Sequence, residues 1–150
     1  MATTRLPKDF REFLSLLNSH EVEYLLIGGY AVGYHGYPRA TADMDLWVGI
    51  DKKNAERIVK VLREFGFDLP EIRPEMFLQK NKIFRMGNTP LRIELLTSIS
   101  GVEFQGCFKQ RIEAKVDGVT VKIIDLLHLK KNKEATGRHK DLDDLENLPE

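Results

Sequence analysis

The sequence predicts a mixed α/β (α+β) domain: a mixed central sheet flanked by helices. Two observations carry this. Short apolar runs with two-residue alternation, such as Tyr24 to Ile27, Asp43 to Val48 and Leu91 to Thr97, are interleaved with stripes of helical period. The segment "EAKVDGVTVKII" alternates apolar residues on both sides of Asp117-Gly118, a strong hairpin signal.

The elements follow in order. Phe10, Phe13, Leu14 and Leu17 recur at helical spacing, with Pro7 suited to the first turn. Tyr24 to Ile27 reads as a buried strand ending at Gly28-Gly29, followed by a short helix over Tyr30 to Tyr34. Gly36 and Pro38 mark a loop, and Asp43 to Val48 is a second strand. Ala55, Ile58, Val59 and Leu62 form the stripe of a helix capped by Asp51. Pro70 and Pro74 bound an irregular piece with a helical turn at Glu75 to Leu78. Lys82 to Met86 and Leu91 to Thr97 are strands joined through "GNTP". Gly101 to Phe108 reads as helical. Asp125 caps a final helix through Leu126, Leu127 and Leu129; Gly137 interrupts it, and Leu142, Leu145 and Leu148 continue the stripe.

With 150 residues, the expectation is one domain over 1–150. Hydrophobic residues make up 42% and charged residues 31%, and the formal net charge is zero, so any electrostatic function must be local. Cys107 is the only cysteine, so neither an internal disulfide nor a cysteine-rich zinc site can form. His20, His128 and His139 have no metal-ligand spacing. No apolar run approaches the roughly 20 residues that cross a bilayer. The opening "MATTRLPKDF" lacks the apolar segment of a secretory signal, and a cytoplasmic protein is the simplest expectation.

The chemistry concentrates in "LLIGGYAVGYHGYPRATADMDLWV". Side chains alternate along a strand, so Asp43 and Asp45 project to one side and Met44 and Leu46 to the other. Two carboxylates so placed suit Mg²⁺. In "LRIELL", Arg92 and Glu94 share a face opposite Ile93 and Leu95; beside the Asp43–Val48 strand, Glu94 becomes a third ligand. Three carboxylates suit two divalent ions, the arrangement used for displacement at phosphorus. Gly28 and Gly29 allow a phosphate close to the backbone. Arg39 and Thr41 lie between the two parts. Each part alone is common; their conjunction at this spacing carries the expectation.

These residues resemble the nucleotidyltransferase superfamily, the fold shared with DNA polymerase beta: strand, glycine pair, short helix, Asp-x-Asp strand and a later carboxylate. His35, Gly36, Arg39 and Thr41 narrow the likeness to lincosamide-type antibiotic nucleotidyltransferases and to abortive-infection nucleotidyltransferase toxins. "DLLHLKKNKEATGRHKDLDDLENL" is similar to these branches, where a Lys and a later "KDxxDL" helix follow the core. Gly29 stands where many relatives have Ser, and Glu94 where many have Asp.

The resemblance implies a nucleotidyltransferase fold and transfer of NMP from an NTP to an acceptor hydroxyl, with two Mg²⁺ held by Asp43, Asp45 and Glu94. Gly28, Gly29, Arg39, Thr41, Lys130 and Lys140 would serve the nucleotide, and Asp141 would order the site. The acceptor would be RNA such as tRNA, or a small molecule. A protein partner would be an antitoxin or a second copy of the chain. The rival expectation is a non-catalytic nucleotide- or partner-binding module of a toxin–antitoxin pair.

Other residues have plainer readings. Lys131, Lys133 and Arg138 read as a solvated helix face, His35 as a helix-end histidine and Cys107 as a small buried residue. Trp47, Tyr30, Tyr34 and Tyr37 offer rings for stacking a base, against the commoner use in packing.

Overall fold

The computed structural model describes residues 6–87 and 91–150. The "MATTR" start and the Asn88–Pro90 part of the expected "GNTP" connection lie outside them. Six strands form one mixed sheet in the order β3-β4-β2-β1-β6-β5.

Helix α1 (Lys8–Ser19) buries Phe10, Phe13, Leu14 and Leu17, the stripe expected, with Pro7 at its N-cap. Strand β1 (Tyr24–Ile27) is buried throughout. Helix α2 (Gly28–Tyr34) takes up both glycines as its first turn, earlier than the start at Tyr30 that the sequence suggests. Gly28 allows this: at φ +68° it turns the chain from strand to helix, a conformation that a side chain disfavours. Strand β2 (Asp43–Val48) returns antiparallel beside β1, with Ile27 opposite Asp45.

Asp51 caps α3 (Lys52–Phe65) by accepting from the Asn54 amide. Buried Asn54 accepts from the Glu23 amide at 2.7 Å and donates to the Gly49 carbonyl at 2.9 Å, tying the ends of β1 and β2 to α3. A 3-10 turn (Pro74–Phe77) leads to edge strand β3 (Ile83–Met86), antiparallel to β4 (Arg92–Leu96). Strand β4 then pairs parallel with β2, placing Arg92 opposite Asp43 and Glu94 opposite Asp45.

Helix α4 (Phe104–Lys109) starts three residues later than expected, capped by Glu103. The hairpin β5 (Ile112–Val116) and β6 (Val119–Ile123) turns at Asp117 and Gly118, both at positive φ, as a tight two-residue turn requires. Asp125 caps α5 (Leu126–Thr136), which ends at Gly137 in the left-handed conformation. Helix α6 (His139–Asn147) then packs on α5.

The leucine stripe expected of α5 and α6 holds in part, with Leu129 and Leu148 buried. Leu127 and Leu142 are exposed, and the residues α6 buries are Asp141 and Asp144. Trp47 is also buried, edge-on to Phe104, whereas Tyr34 is exposed. Tyr30 is buried against Phe10. Cys107 is fully buried, and burial first, then nearby carboxylates, pushes its thiol up to about 11, which suits packing and not nucleophilic attack. Among the described residues no helix is long and apolar enough to cross a membrane.

Candidate active site

The alternation of β2 and β4 puts Asp43, Asp45, Arg92 and Glu94 on one face of the sheet, since Met44, Leu46, Ile93 and Leu95 fill the core on the other. A cavity of ≈ 660 Å³ opens over this face. Its floor is Asp43, Asp45 and Glu94. Gly28, Gly29, Arg39, Lys133, Thr136, Arg138, Lys140 and Asp141 line its wall. Leu96, Ser98, Ile99, Ser100 and Asn132 complete it.

Asp45 is the strained member. Burial, then the charge of Glu94 and a hydrogen bond with it, then the charge of Asp43, push its carboxyl up to about 7. Its Oδ1 is buried and has no hydrogen-bond partner among the described residues. The other two carboxylates are engaged. Arg92 contacts Asp43 at 3.2 Å, and Arg85 donates to Glu94 at 2.7 Å. Among the described residues no three His, Cys, Asp or Glu side chains are grouped closely enough to hold an ion. The donors themselves are all oxygen, and the orphaned Asp45 Oδ1 lacks the positive charge or donor that a hard cation would supply.

The glycine pair belongs to the same construction. A Cβ on Gly28 would overlap Asp45 Oδ2, and one on Gly29 would come within 2.7 Å of Thr41 Oγ1. The backbone of α2 therefore lies directly against the acidic strand. Thr41 supports this approach and donates to the Asp43 carbonyl at 3.3 Å.

The helical wall is a closed ionic network. Lys133 Nζ bridges Asp141 Oδ1 at 2.9 Å and Asp144 Oδ2 at 3.1 Å. Thr136 and Arg138 both donate to Asp141 Oδ2, at 2.6 and 2.7 Å. Arg39 grips both oxygens of Asp144, at 2.7 and 2.8 Å. Burial alone would raise Asp141, but the bonds from Thr136, Lys133 and Arg138 outweigh it and hold the carboxyl down at about 2.

The structure thus brings together Gly28, Gly29, Arg39, Asp43, Asp45, Glu94, Lys140 and Asp141. Thr41 sits behind Gly29, outside the cavity lining, and Lys130 does not reach the cavity at all. Lys133, one turn along the same helix, takes that place; it is buried and not part of a solvated face. Asp144, Arg85 and the Ser98–Ser100 segment were also missed. His35 accepts the local structural role expected of it, with Nε2 against the Ile124 carbonyl at 2.7 Å.

No family model matches the chain, and no curated protein matches it in sequence. Solved structures do match. A provisionally named nucleotidyltransferase from Thermotoga maritima superposes with a TM-score of 0.61 at 16% identity, over 91% of this chain and 88% of that one. An antigenic nucleotidyltransferase-like protein from Paracoccidioides brasiliensis gives 0.54 at 18% identity, over 96% of this chain and 77% of that one. The chain has the nucleotidyltransferase fold. At such identities the likeness concerns architecture, and function resides in the site built on it.

Proposed function

We propose that this nucleotidyltransferase-fold chain transfers NMP from an NTP to an acceptor hydroxyl. The observation that carries the reading is Asp45: half-buried, facing Glu94 in register, with its buried Oδ1 unpartnered among the described residues, and pressed by the Gly28 backbone. Such a carboxylate stabilises nothing in the free protein and suits a cationic ligand.

Asp43, Asp45 and Glu94 would hold Mg²⁺, after Asp43 and Glu94 exchange their arginine partners for it. Bound there, two such ions would neutralise phosphate charge and polarise the reacting phosphoryl group. The glycine turn lets the phosphates approach the α2 backbone without a side chain in the way. Arg138 and Lys140 supply positive charge at the rim, and Asp141 and Asp144 fix Lys133 on the wall. Glu94 takes the proton of the acceptor hydroxyl as its oxygen bonds to the α-phosphorus; the bond to the β-phosphate breaks and pyrophosphate leaves.

The exposed Lys131, Arg138 and Lys140 favour an anionic acceptor such as RNA, as in the toxin-like branch, over a small antibiotic. In that branch an antitoxin or a second copy would be the protein partner, and the cytoplasm the place of action. A second reading, a non-catalytic binding module, draws on the Arg92–Asp43 and Arg85–Glu94 pairs, which already occupy two of the three carboxylates.

The test is label transfer from each α-labelled NTP, with Mg²⁺, to cellular RNA and to small molecules. Transfer by the wild type and not by Asp43→Asn/Asp45→Asn establishes the activity. Metal-dependent NTP binding without transfer to any acceptor would establish the module instead.

A further inference from the structure

Along β2, Trp47 follows Asp45 by two residues and lies on the same face, about 6.6 Å further along the strand. On β4 the same face runs from Glu94 to Leu96, and Trp47 pairs with Leu96. Here a second chamber of ≈ 540 Å³ opens, lined by Trp47, Asn81, Val102, Phe104 and Gln105, among others. Ser98, Ile99 and Ser100 line both this chamber and the acidic cavity, so the two meet at that segment. The segment is held on both sides. Asn132 donates to the Ser100 carbonyl at 3.0 Å, and Ser98 Oγ donates to Asn81 Oδ1 at 2.9 Å.

Two features point to a ligand. Trp47 is 2% exposed, and its indole N–H is buried with no acceptor among the described residues. An unpaired buried donor costs roughly 1–3 kcal/mol, which a ligand acceptor would recover. The second feature is the polarity of the joined space. Arg39, Lys133, Arg138 and Lys140 gather with the glycines in the acidic cavity, whereas the shared segment offers hydroxyls and the apolar Ile99. A nucleoside triphosphate has the same polarity: polyanionic at one end, flat and uncharged with hydrogen-bond acceptors at the other.

We propose that the Trp47 chamber seats the nucleobase of the NTP. This rests on the acidic cavity being the NTP site. With the α-phosphorus over Asp45 and Glu94 and the remaining phosphates towards the glycines, the nucleoside runs along the strands to Ser98 and Trp47.

Trp47 is the only tryptophan, so its fluorescence reports on the chamber without a label. The experiment titrates the purified protein, with Mg²⁺, with each of the four NTPs and with inorganic tripolyphosphate. It follows Trp47 emission and measures affinity by calorimetry. At least one NTP is expected to shift the emission and to bind about tenfold or more tighter than tripolyphosphate, the order of one seated base. Tripolyphosphate is expected to bind without the shift. Gln105→Phe, a change at an exposed helix position that fills the chamber, is expected to bring that NTP down to the tripolyphosphate affinity while leaving tripolyphosphate binding intact.

If NTPs bind no tighter than tripolyphosphate, or leave Trp47 unchanged, or ignore Gln105→Phe, the base seat is overturned and the phosphate site stands. If neither ligand binds, the NTP site itself falls, and the base seat with it.

Discussion

Two ionic clusters, one buried and one half-buried, meet at one cavity, and they are opposite in kind. On the helical wall, Lys133, Arg39 and Arg138 meet Asp141 and Asp144, and every carboxylate oxygen has a partner within 3.1 Å. On the sheet, Asp43 pairs with Arg92 and Glu94 with Arg85, and Asp45 Oδ1 has no hydrogen-bond partner among the described residues. The same chemistry thus lowers one aspartate and raises the other. The helical cluster holds the C-terminal helices against the glycine turn. The sheet cluster is short of positive charge in just the place where a cationic ligand would complete it.

The largest expected effect comes from opening the closed cluster. Asp144→Ala leaves Arg39 without its partner and Lys133 with Asp141 alone, in a site that Asp144 shares at 0% exposure. Breaking a buried ion pair in this way costs about 3–5 kcal/mol. The melting temperature should fall by roughly 10 °C. A change within a degree or two would mean that the network is as dispensable as a surface pair. A smaller effect is expected at the seam between the clusters. Gly28→Ala places a side chain at φ +68° and against the Asp45 carboxylate. It should cost about 2 kcal/mol in chemical denaturation. It should also abolish label transfer, because the added methyl occupies the approach to Asp45.

The two clusters also differ in how legible they are. Strand periodicity is two, so "DMD" and "RIE" announce which residues share a face, and only the β2–β4 pairing had to come from the fold. The glycine turn was legible as a turn, although its residues belong to the helix. The helical cluster was legible only in part: the resemblance named Arg39 and Asp141 but not their partners, Asp144 and Lys133. Lys130 and Lys133 are neighbours on one helix face, and which of them meets the site depends on where α6 crosses α5 after Gly137. Asp141 and Asp144, three apart on α6, could have hinted at a shared inward face, but Leu142 and Leu145 on the same helix outweighed them by hydrophobicity. Their burial is explained by Lys133 and Arg39, residues that only the tertiary structure brings near. Trp47 follows the commoner reading, packing: its face was readable, whereas the α4 residue that covers it, Phe104, was not.

The smallest expected effect is a gain. Asp45→Asn removes a carboxyl that burial and Glu94 hold at about 7, above its ordinary value near 4 in the unfolded chain. An acid raised on folding binds its proton more tightly in the native state. Wild-type stability therefore declines as pH rises from about 4 to about 7, and then levels. In the absence of divalent metal, Asp45→Asn should match the wild type near pH 4 and exceed it by about 1–2 kcal/mol at pH 8, after allowance for solvent near the cavity mouth. Asp43→Asn should show no such gain, because Asp43 already holds Arg92 at 3.2 Å. Asp141 provides the opposite sign. Its carboxyl, depressed to about 2, contributes stability that is present above pH 4 and is lost as the pH falls towards 2. Melting curves of wild type, Asp45→Asn and Asp43→Asn across this range distinguish the two clusters directly. A gain at Asp45 that is independent of pH would trace to packing, and the sheet cluster would lose its claim to a missing cation.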